Sequence, residues 1–449
     1  MKDLGIFIFR RDYRVVDNIG LYSVAKQCKQ IIPIFIFTPE QVSDANKYKS
    51  DNAVQFMIEA LDDLNQSLNN KLACFYGDNN SVLKKLIEKY KPDIVAFNRD
   101  YTPYAMKRDA SIENLCANAG VECVTYADYY LFEPGTLTKN GYNAEYNKDA
   151  LQDLVYKKFT PFYNKARENI KHIANSVGTV NKFHKIPGTI ELKHAYQRFC
   201  KLNPDLAVQG GRTEALKLLR IDHNDYSKTH NYLYEETTGL SPYIKFGCIS
   251  VREMYQRYKS VEPLIRQLFW REFYATLLYA YPTLGQPVDP KYNKIKWSYN
   301  KAHFNAWAQG RTGFPVVDAC MRQLVQTGSM HNRGRLIVAS FLCKTLLIDW
   351  RWGERFFAQH LTDYDVASNM HNWLWIAGGG ADSQEYFRIF NPWSQSENYD
   401  KDGVFIKRWV PELANMDARE LHDSTKHDPI VDYSVEKPKV LKAYKQIFT

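Results

Sequence analysis

The sequence predicts an α/β amino-terminal domain built on a doubly wound parallel sheet, followed by an all-α carboxy-terminal domain. Three observations carry this prediction. Short β-branched or aromatic runs alternate with helix-spaced segments over the first 130 or so residues. From about residue 197 onward the apolar pattern is helical with little strand character. All nine tryptophans lie between Trp270 and Trp409, so the two halves differ in composition. At 449 residues the chain exceeds one ordinary domain. The expected division is an α/β domain over 1–130, a connection over 131–196 and a helical domain over 197–449.

Gly5–Phe9, Ile31–Phe37, Leu72–Tyr76 and Ile94–Asn98 suit parallel strands covered on both faces. Asn52–Leu68 and Ser81–Lys89 carry helical spacing between them, with a helix start at Ser81 after Gly77-Asp78. No Gly-x-Gly-x-x-Gly turn is present, which disfavours ordinary NAD-type dinucleotide binding here. Phe9-Arg10-Arg11-Asp12-Tyr13-Arg14-Val15-Val16-Asp17-Asn18 instead follows the first strand, at the end where open α/β sheets bind ligands. Local chemistry favours internal pairing of Arg10, Arg11 and Arg14 with Asp12 and Asp17. The turns Glu133-Pro134-Gly135, Lys139-Asn140-Gly141 and Ile186-Pro187-Gly188 mark the long connection.

The net charge of +9 favours a polyanionic partner, and an apolar fraction of 45% excludes general disorder. None of the eight cysteines stands in a Cys-x-x-Cys pair, so no zinc or dithiol motif is expected and no metal site is assigned. They read as buried, reduced thiols of an intracellular protein, cytoplasmic or nuclear. Neither a signal peptide nor an apolar stretch of transmembrane length is found.

Four stretches of the helical half carry chemistry. Thr237-Thr238-Gly239-Leu240-Ser241-Pro242 offers hydroxyls and amides that can cradle phosphate, although Ser241-Pro242 fits a plain N-cap better. On a helix, Gln267, Trp270, Arg271 and Tyr274 share one face that combines an amide, an aromatic plane and a cation. Met330-His331-Asn332-Arg333-Gly334-Arg335 holds two arginines pointing in different directions. One can meet DNA while Arg335 pairs with Asp363. Asp365, Asn369 and Trp373 are spaced i, i+4, i+8 and line one stripe suited to a polar heteroaromatic ligand. Phe387-Arg388-Ile389-Phe390-Asn391-Pro392 reads as a capped helix end.

Taken together, Trp270-Arg271-Glu272-Phe273, Met330-His331-Asn332-Arg333, Ile348-Asp349-Trp350 and Phe387–Pro392 resemble the photolyase/cryptochrome family, and within it the class I cyclobutane pyrimidine dimer photolyases. The resemblance runs from Arg10-Arg11-Asp12 to Trp409-Val410-Pro411-Glu412-Leu413. It implies a folded FAD whose diphosphate is held by Thr237, Thr238, Leu240 and Ser241, with Arg271 beside the flavin. Arg335 and Asp363 would pair against the ring system with Asp365 nearby, and Asn369 would face the reactive ring nitrogen. Cryptochromes of plants usually carry Asp at this last position, and those of animals Cys. Trp373, Trp350 and Trp297 would relay electrons to the surface. The implied reaction is light-driven repair. Reduced FAD gives an electron to a thymine dimer flipped out of DNA, the cyclobutane ring splits and the electron returns. Trp270 and Trp375 would stack on the lesion, Gln267 and Asn332 would touch it with Leu336 nearby, and Arg333 would meet flanking phosphate. A monomer acting on damaged DNA, away from membranes, is expected.

Two positions depart from the dimer-photolyase pattern. Gln267 stands where that class has Glu, and Leu336 where it has Met. Gln at the first position resembles (6-4) photolyases and animal cryptochromes. The two histidines of the (6-4) class, however, fall on Asn332 and Leu336. Asn98-Arg99-Asp100-Tyr101-Thr102-Pro103-Tyr104 resembles the antenna motif of the family, with its carboxylate replaced near Ala105. A deazaflavin, a folate such as methenyltetrahydrofolate, or no antenna is compatible with it.

Overall fold

The computed structural model describes residues 1–146, 148–383 and 385–448. Backbone packing gathers them into two units. The first holds Met1–Asn203, Val208–Asp222 and Thr238–Pro282; the second holds Pro204–Ala207, His223–Thr237 and Thr283 to the end. These packing units have other bounds than the expected 1–130, 131–196 and 197–449. The reason is aromatic packing: helix Phe159–Glu168 of the expected connection sets Phe162 against Phe273 of helix Glu262–Ala280, which draws both into the first unit.

In the first unit the strands are β1 (Lys2–Ile8), β2 (Cys28–Phe37), β3 (Ala73–Tyr76), β4 (Ile94–Asn98) and β5 (Glu122–Tyr126). All pair in parallel in the order β3-β2-β1-β4-β5, the doubly wound arrangement. β5 escaped the sequence reading because Glu122-Cys123-Val124-Thr125-Tyr126 alternates at a sheet edge and forms no continuous apolar run. Helices Asp51–Ser67 and Asn79–Tyr90 match the expected spans. The second is capped by Asp78, whose carboxylate accepts from the Ser81 amide, so it starts before Ser81.

The charges after β1 are satisfied internally, but across the unit rather than with each other. Arg10 pairs with Asp109 at 2.6 Å and Arg11 with Asp100 at 3.3 Å. Arg14 pairs with Asp128, which Arg252 also holds at 2.8 Å, while Arg252 reaches Asp17 at 3.1 Å. Asp12 accepts from Asn98 at 2.6 Å instead. Of the neighbouring acids, Asp17 meets Arg14 through its backbone carbonyl at 2.8 Å, while sheet topology brings the distant carboxylates of Asp100, Asp109 and Asp128 to the three arginines.

The connection is stitched to the sheet. Thr189 and Ile190 both donate to the Cys74 carbonyl, and a Cβ at Gly188 would lie 2.5 Å from that oxygen. Only glycine fits so close to a backbone. In the second unit Phe387–Phe390 precedes a helix rather than ending one. Asn391 caps helix Pro392–Tyr399 by accepting from the Trp393 amide. Among the described residues, no helix is long and apolar enough to cross a membrane.

Candidate functional site

In the second unit, helix Asn332–Lys344 begins at His331, whose Nδ1 accepts from the Arg333 amide. Burial, then Arg333 and Arg335, push the His331 ring down to about 4, so it stays neutral. Arg335 is held by the Met330 carbonyl at 3.0 Å and pairs with both oxygens of Asp363 at 2.9 and 3.1 Å. The expected ion pair is thus formed. Arg333 points elsewhere, donating to Asn231 Oδ1, with its guanidinium 4.2 Å from the Tyr399 ring centre. Asn332 beside it is exposed and Leu336 half-buried.

Asp365 caps helix Val366–Ala377 by accepting from the Ser368 amide at 3.0 Å. One turn on, Asn369 is 9% exposed, and its Nδ2 donates to the carbonyl and the Oε1 of Glu354, both at 3.0 Å. Two acceptors on that side fix the amide orientation. Among the described residues nothing donates to Asn369 Oδ1, which is left as an outward acceptor. One further turn on, Trp373 is buried, edge-on to Phe357 at 5.0 Å and to Trp307 at 6.3 Å. Trp350 is buried and Trp297 half-buried against Tyr444. Trp375 is half-buried.

In the first unit, helix Glu262–Ala280 carries Gln267, Trp270 and Arg271. Gln267 is exposed and donates weakly to the Pro263 carbonyl at 3.4 Å. Trp270 is half-buried and stacks on Phe159 at 3.7 Å, the two rings nearly parallel at 5°. Arg271 donates to the Tyr129 carbonyl at 2.7 Å and lies 4.3 Å from the Tyr130 ring centre. These contacts supply the partners that the sequence alone did not show. Glu272 next to it is buried and accepts from the Leu131 and Phe132 amides; burial still pushes it up to about 7. Ser241 does not cap its helix. Leu240 holds the cap position with φ −86° and ψ −8°, and Ser241, exposed, is the first helical residue. The Leu240 amide donates to Thr238 Oγ1 at 3.3 Å. Thr237 is exposed and counts with the second unit.

Sequence reasoning missed Glu354, Asn231, Tyr399, Phe159 and Trp307. Each is distant in sequence from the residue it supports, and only Trp307 carried a signal, as one of the nine indoles. Among the described residues no group of three or more His, Cys, Asp or Glu could hold a metal ion.

Comparison with known proteins places this arrangement. The family described as DNA photolyase matches residues 6–180, and the FAD binding domain of DNA photolyase matches residues 264–446. A deoxyribodipyrimidine photo-lyase of Synechococcus sp. is 33% identical, over 93% of this chain and 89% of its own length. The crystal structure of an archaeal photolyase from Sulfolobus tokodaii, described with two FAD molecules, superposes with a TM-score of 0.89 at 37% identity, covering 99% of this chain and all of that one. A bacterial class III photolyase from Agrobacterium tumefaciens gives a TM-score of 0.88 at 30% identity, covering all of this chain and 98% of that one.

Proposed function

Because the chain belongs to the photolyase/cryptochrome family, we propose that it splits cyclobutane pyrimidine dimers in DNA with light, using one reduced FAD. The observation that carries this is Asn369. Its amide is turned by Glu354 so that a carbonyl oxygen remains as the acceptor. An outward acceptor suits a ring nitrogen that bears a proton, as in reduced flavin, and this chemistry supports the fit of an FAD to the residues present.

Arg335, Asp363, Asp365 and Asn369 would hold the ring system, with Thr237, Thr238, Leu240 and Ser241 toward the diphosphate. Arg271 already has the Tyr129 carbonyl as a partner, so its role toward the flavin is one of shape as much as of charge. When bound, reduced FAD supplies the light-driven electron that the lesion accepts and returns. The chain's own residues do the rest. Trp270 is backed by Phe159, so its ring is held rigid and presents an aromatic plane to an extruded base. Trp375, Gln267, Asn332 and Leu336 would complete the contacts to the lesion. Trp373 and Trp350, both buried, and Trp297, half-buried, would relay electrons between the flavin and the surface.

Arg333, oriented by Asn231 and Tyr399, is suited to a phosphate flanking the lesion. Arg333→Ala should weaken binding to all DNA alike and reduce the slope of log affinity against log salt by about 1. An unchanged slope measured by fluorescence anisotropy would contradict the phosphate contact.

A second reading, a blue-light photoreceptor or repair of (6-4) photoproducts, is favoured by one residue. Gln267 offers an amide where a carboxylate supports dimer chemistry, and it sits exposed at that position. One experiment separates the two. Chemically reduced protein, lit with near-ultraviolet or blue light, should restore an oligonucleotide containing a thymine dimer. Restoration of a (6-4) lesion alone, or of neither, moves the assignment to the second reading. The second FAD of the Sulfolobus tokodaii photolyase suggests a flavin as a further antenna candidate, beside a deazaflavin or a folate.

A further inference from the structure

In the second unit, the short helix Tyr226–Thr229 runs into a loop that is pinned at three successive residues. Asn231 accepts from the Arg333 guanidinium through Oδ1. The Tyr232 amide donates to the Thr229 carbonyl at 2.9 Å, and the Leu233 amide donates to the Tyr399 carbonyl at 3.0 Å. Leu233 is 3% exposed, so its side chain anchors the loop. Its two neighbours do the opposite. Tyr232 and Tyr234 are 39% and 43% exposed, and their rings stack with 5.6 Å between centres and 22° between planes.

A single exposed ring needs no explanation, but a stacked pair on a pinned loop is a contact surface. The groups around it define what it meets. Arg333, which Asn231 and the Tyr399 ring orient, pairs with no carboxylate among the described residues, so its charge is open to a polyanion. Consecutive Cα atoms lie about 3.8 Å apart, so Tyr232 follows Asn231 within the span of one nucleotide of an anion at Arg333. Partial burial, then Glu235, Tyr232, Asp402 and Asp400, push the Tyr234 hydroxyl up. The carboxylates among these neighbours repel phosphate, so the ring pair suits a flat, uncharged group and leaves the strand's backbone to Arg333.

We propose that Tyr232 and Tyr234 are a stacking platform for an unpaired nucleobase of the DNA strand whose phosphate Arg333 meets. The platform rests on the reading of Arg333 as a phosphate contact and adds to it a contact with a base. Every base has a π face, so stacking gives affinity without choosing a sequence. Extrusion of a nucleotide costs neighbouring bases their stacking, and a fixed aromatic surface recovers it for one of them. Tyrosine suits the task because its large ring has only two side-chain torsions to order.

The test measures binding of the full-length, flavin-loaded protein to an undamaged single-stranded oligonucleotide by fluorescence anisotropy. The double substitution Tyr232→Ala, Tyr234→Ala should weaken binding about tenfold or more, while Tyr232→Phe, Tyr234→Phe stays within about twofold of the wild type, because the ring and not the hydroxyl stacks. The slope of log affinity against log salt should not change, in contrast to Arg333→Ala, since stacking releases no counterions. Without any substitution, a strand carrying iodouracil should cross-link under near-ultraviolet light, with the adduct on Tyr232 or Tyr234 by mass spectrometry. Adducts only elsewhere, or unchanged affinity in the alanine variant, would overturn the platform. So would an alanine variant that binds DNA normally but sediments differently, which would make the pair a contact between copies of this chain. The undamaged strand keeps the result apart from repair. Protein that binds as expected yet leaves a thymine dimer intact loses the repair reading and keeps the platform; repair with no dependence on the tyrosines does the reverse.

Discussion

Asp128→Ala is expected to cost the first unit roughly 3–5 kcal/mol, the largest stability effect of any single change considered. Asp128 is buried and shared by two buried arginines, Arg14 and Arg252. Arg14 keeps only the Asp17 and Gly247 carbonyls when the carboxylate goes. Arg252 keeps Asp17, which also accepts from the Val177 amide and Ser250. Two buried guanidiniums would then face one carboxylate, Asp17, where they had two. Truncating one partner of such a cluster leaves buried charge uncompensated, and that penalty exceeds the worth of the contact itself. Asp128→Asn keeps the shape and one acceptor, so its loss should be smaller. The measurement is urea unfolding of the full chain followed by far-ultraviolet circular dichroism. A loss below about 1 kcal/mol would remove the cluster from the list of what holds this unit together.

The same cluster sets a pH dependence. The two guanidiniums hold Asp128 below the usual carboxylate range despite its burial. Its contribution is therefore complete above the unfolded value near 3.8 and is lost as pH falls through the lower folded value. Asp12 and Glu272 act in the opposite sense. Burial pushes them up to about 6 and about 7, so they favour the fold at low pH and lose that contribution as pH rises through those values. The acid limb of a stability–pH curve should shrink in Asp128→Ala, while Glu253, held low by Arg212, keeps part of it and the decline between about pH 4 and 7 remains.

The second large effect is on electron supply. Trp373→Phe is expected to slow photoreduction of oxidised flavin at least about a hundredfold, equivalent to about 2.7 kcal/mol of barrier, while sparing repair by chemically reduced protein. Phenylalanine keeps an aromatic ring against Phe357 and Trp307 but is far harder to oxidise than indole. The packing there is tight, for a Cβ at Gly353 would lie 2.2 Å from the Trp373 ring. A smaller ring at 373 therefore leaves a void rather than a clash, and the fold should survive it. Transient absorption of the oxidised protein, set beside dimer repair by the reduced protein, reads the two activities separately. Equal loss of both would show that Trp373 supports the fold of the site and not an electron relay.

The parts of the candidate site that were legible in the sequence share one property: their partners lie within a helix turn or are complementary by charge. Asp365, Asn369 and Trp373 follow from helical spacing, and Asp365 does stand at the head of the helix that carries the other two. Arg335 with Asp363 follows from two charges each needing a compensator. The partners that orient the remaining groups were not legible. Glu354 turns the Asn369 amide from 15 residues away. Asn231 holds Arg333 from 102 residues away, and Phe159 backs Trp270 across a loop-rich stretch. Gln267 and Arg271 looked unpartnered because their acceptors are backbone carbonyls, which every residue has and no sequence pattern marks.

Periodicity and turn chemistry by themselves determined the parallel strands, the long helices between them, the helical second half and the residue types available for a flavin and a lesion. Those features depend on contacts spaced by one strand repeat or one helical turn, which a linear pattern encodes. Tertiary structure alone decided which carboxylate each buried arginine meets, that Leu240 and not Ser241 occupies a cap, and that an edge strand exists at Glu122–Tyr126. Each of these outcomes is a choice among chemically equal partners. Desolvation and chain geometry make that choice, because a buried charge takes the partner that the folded backbone brings within reach.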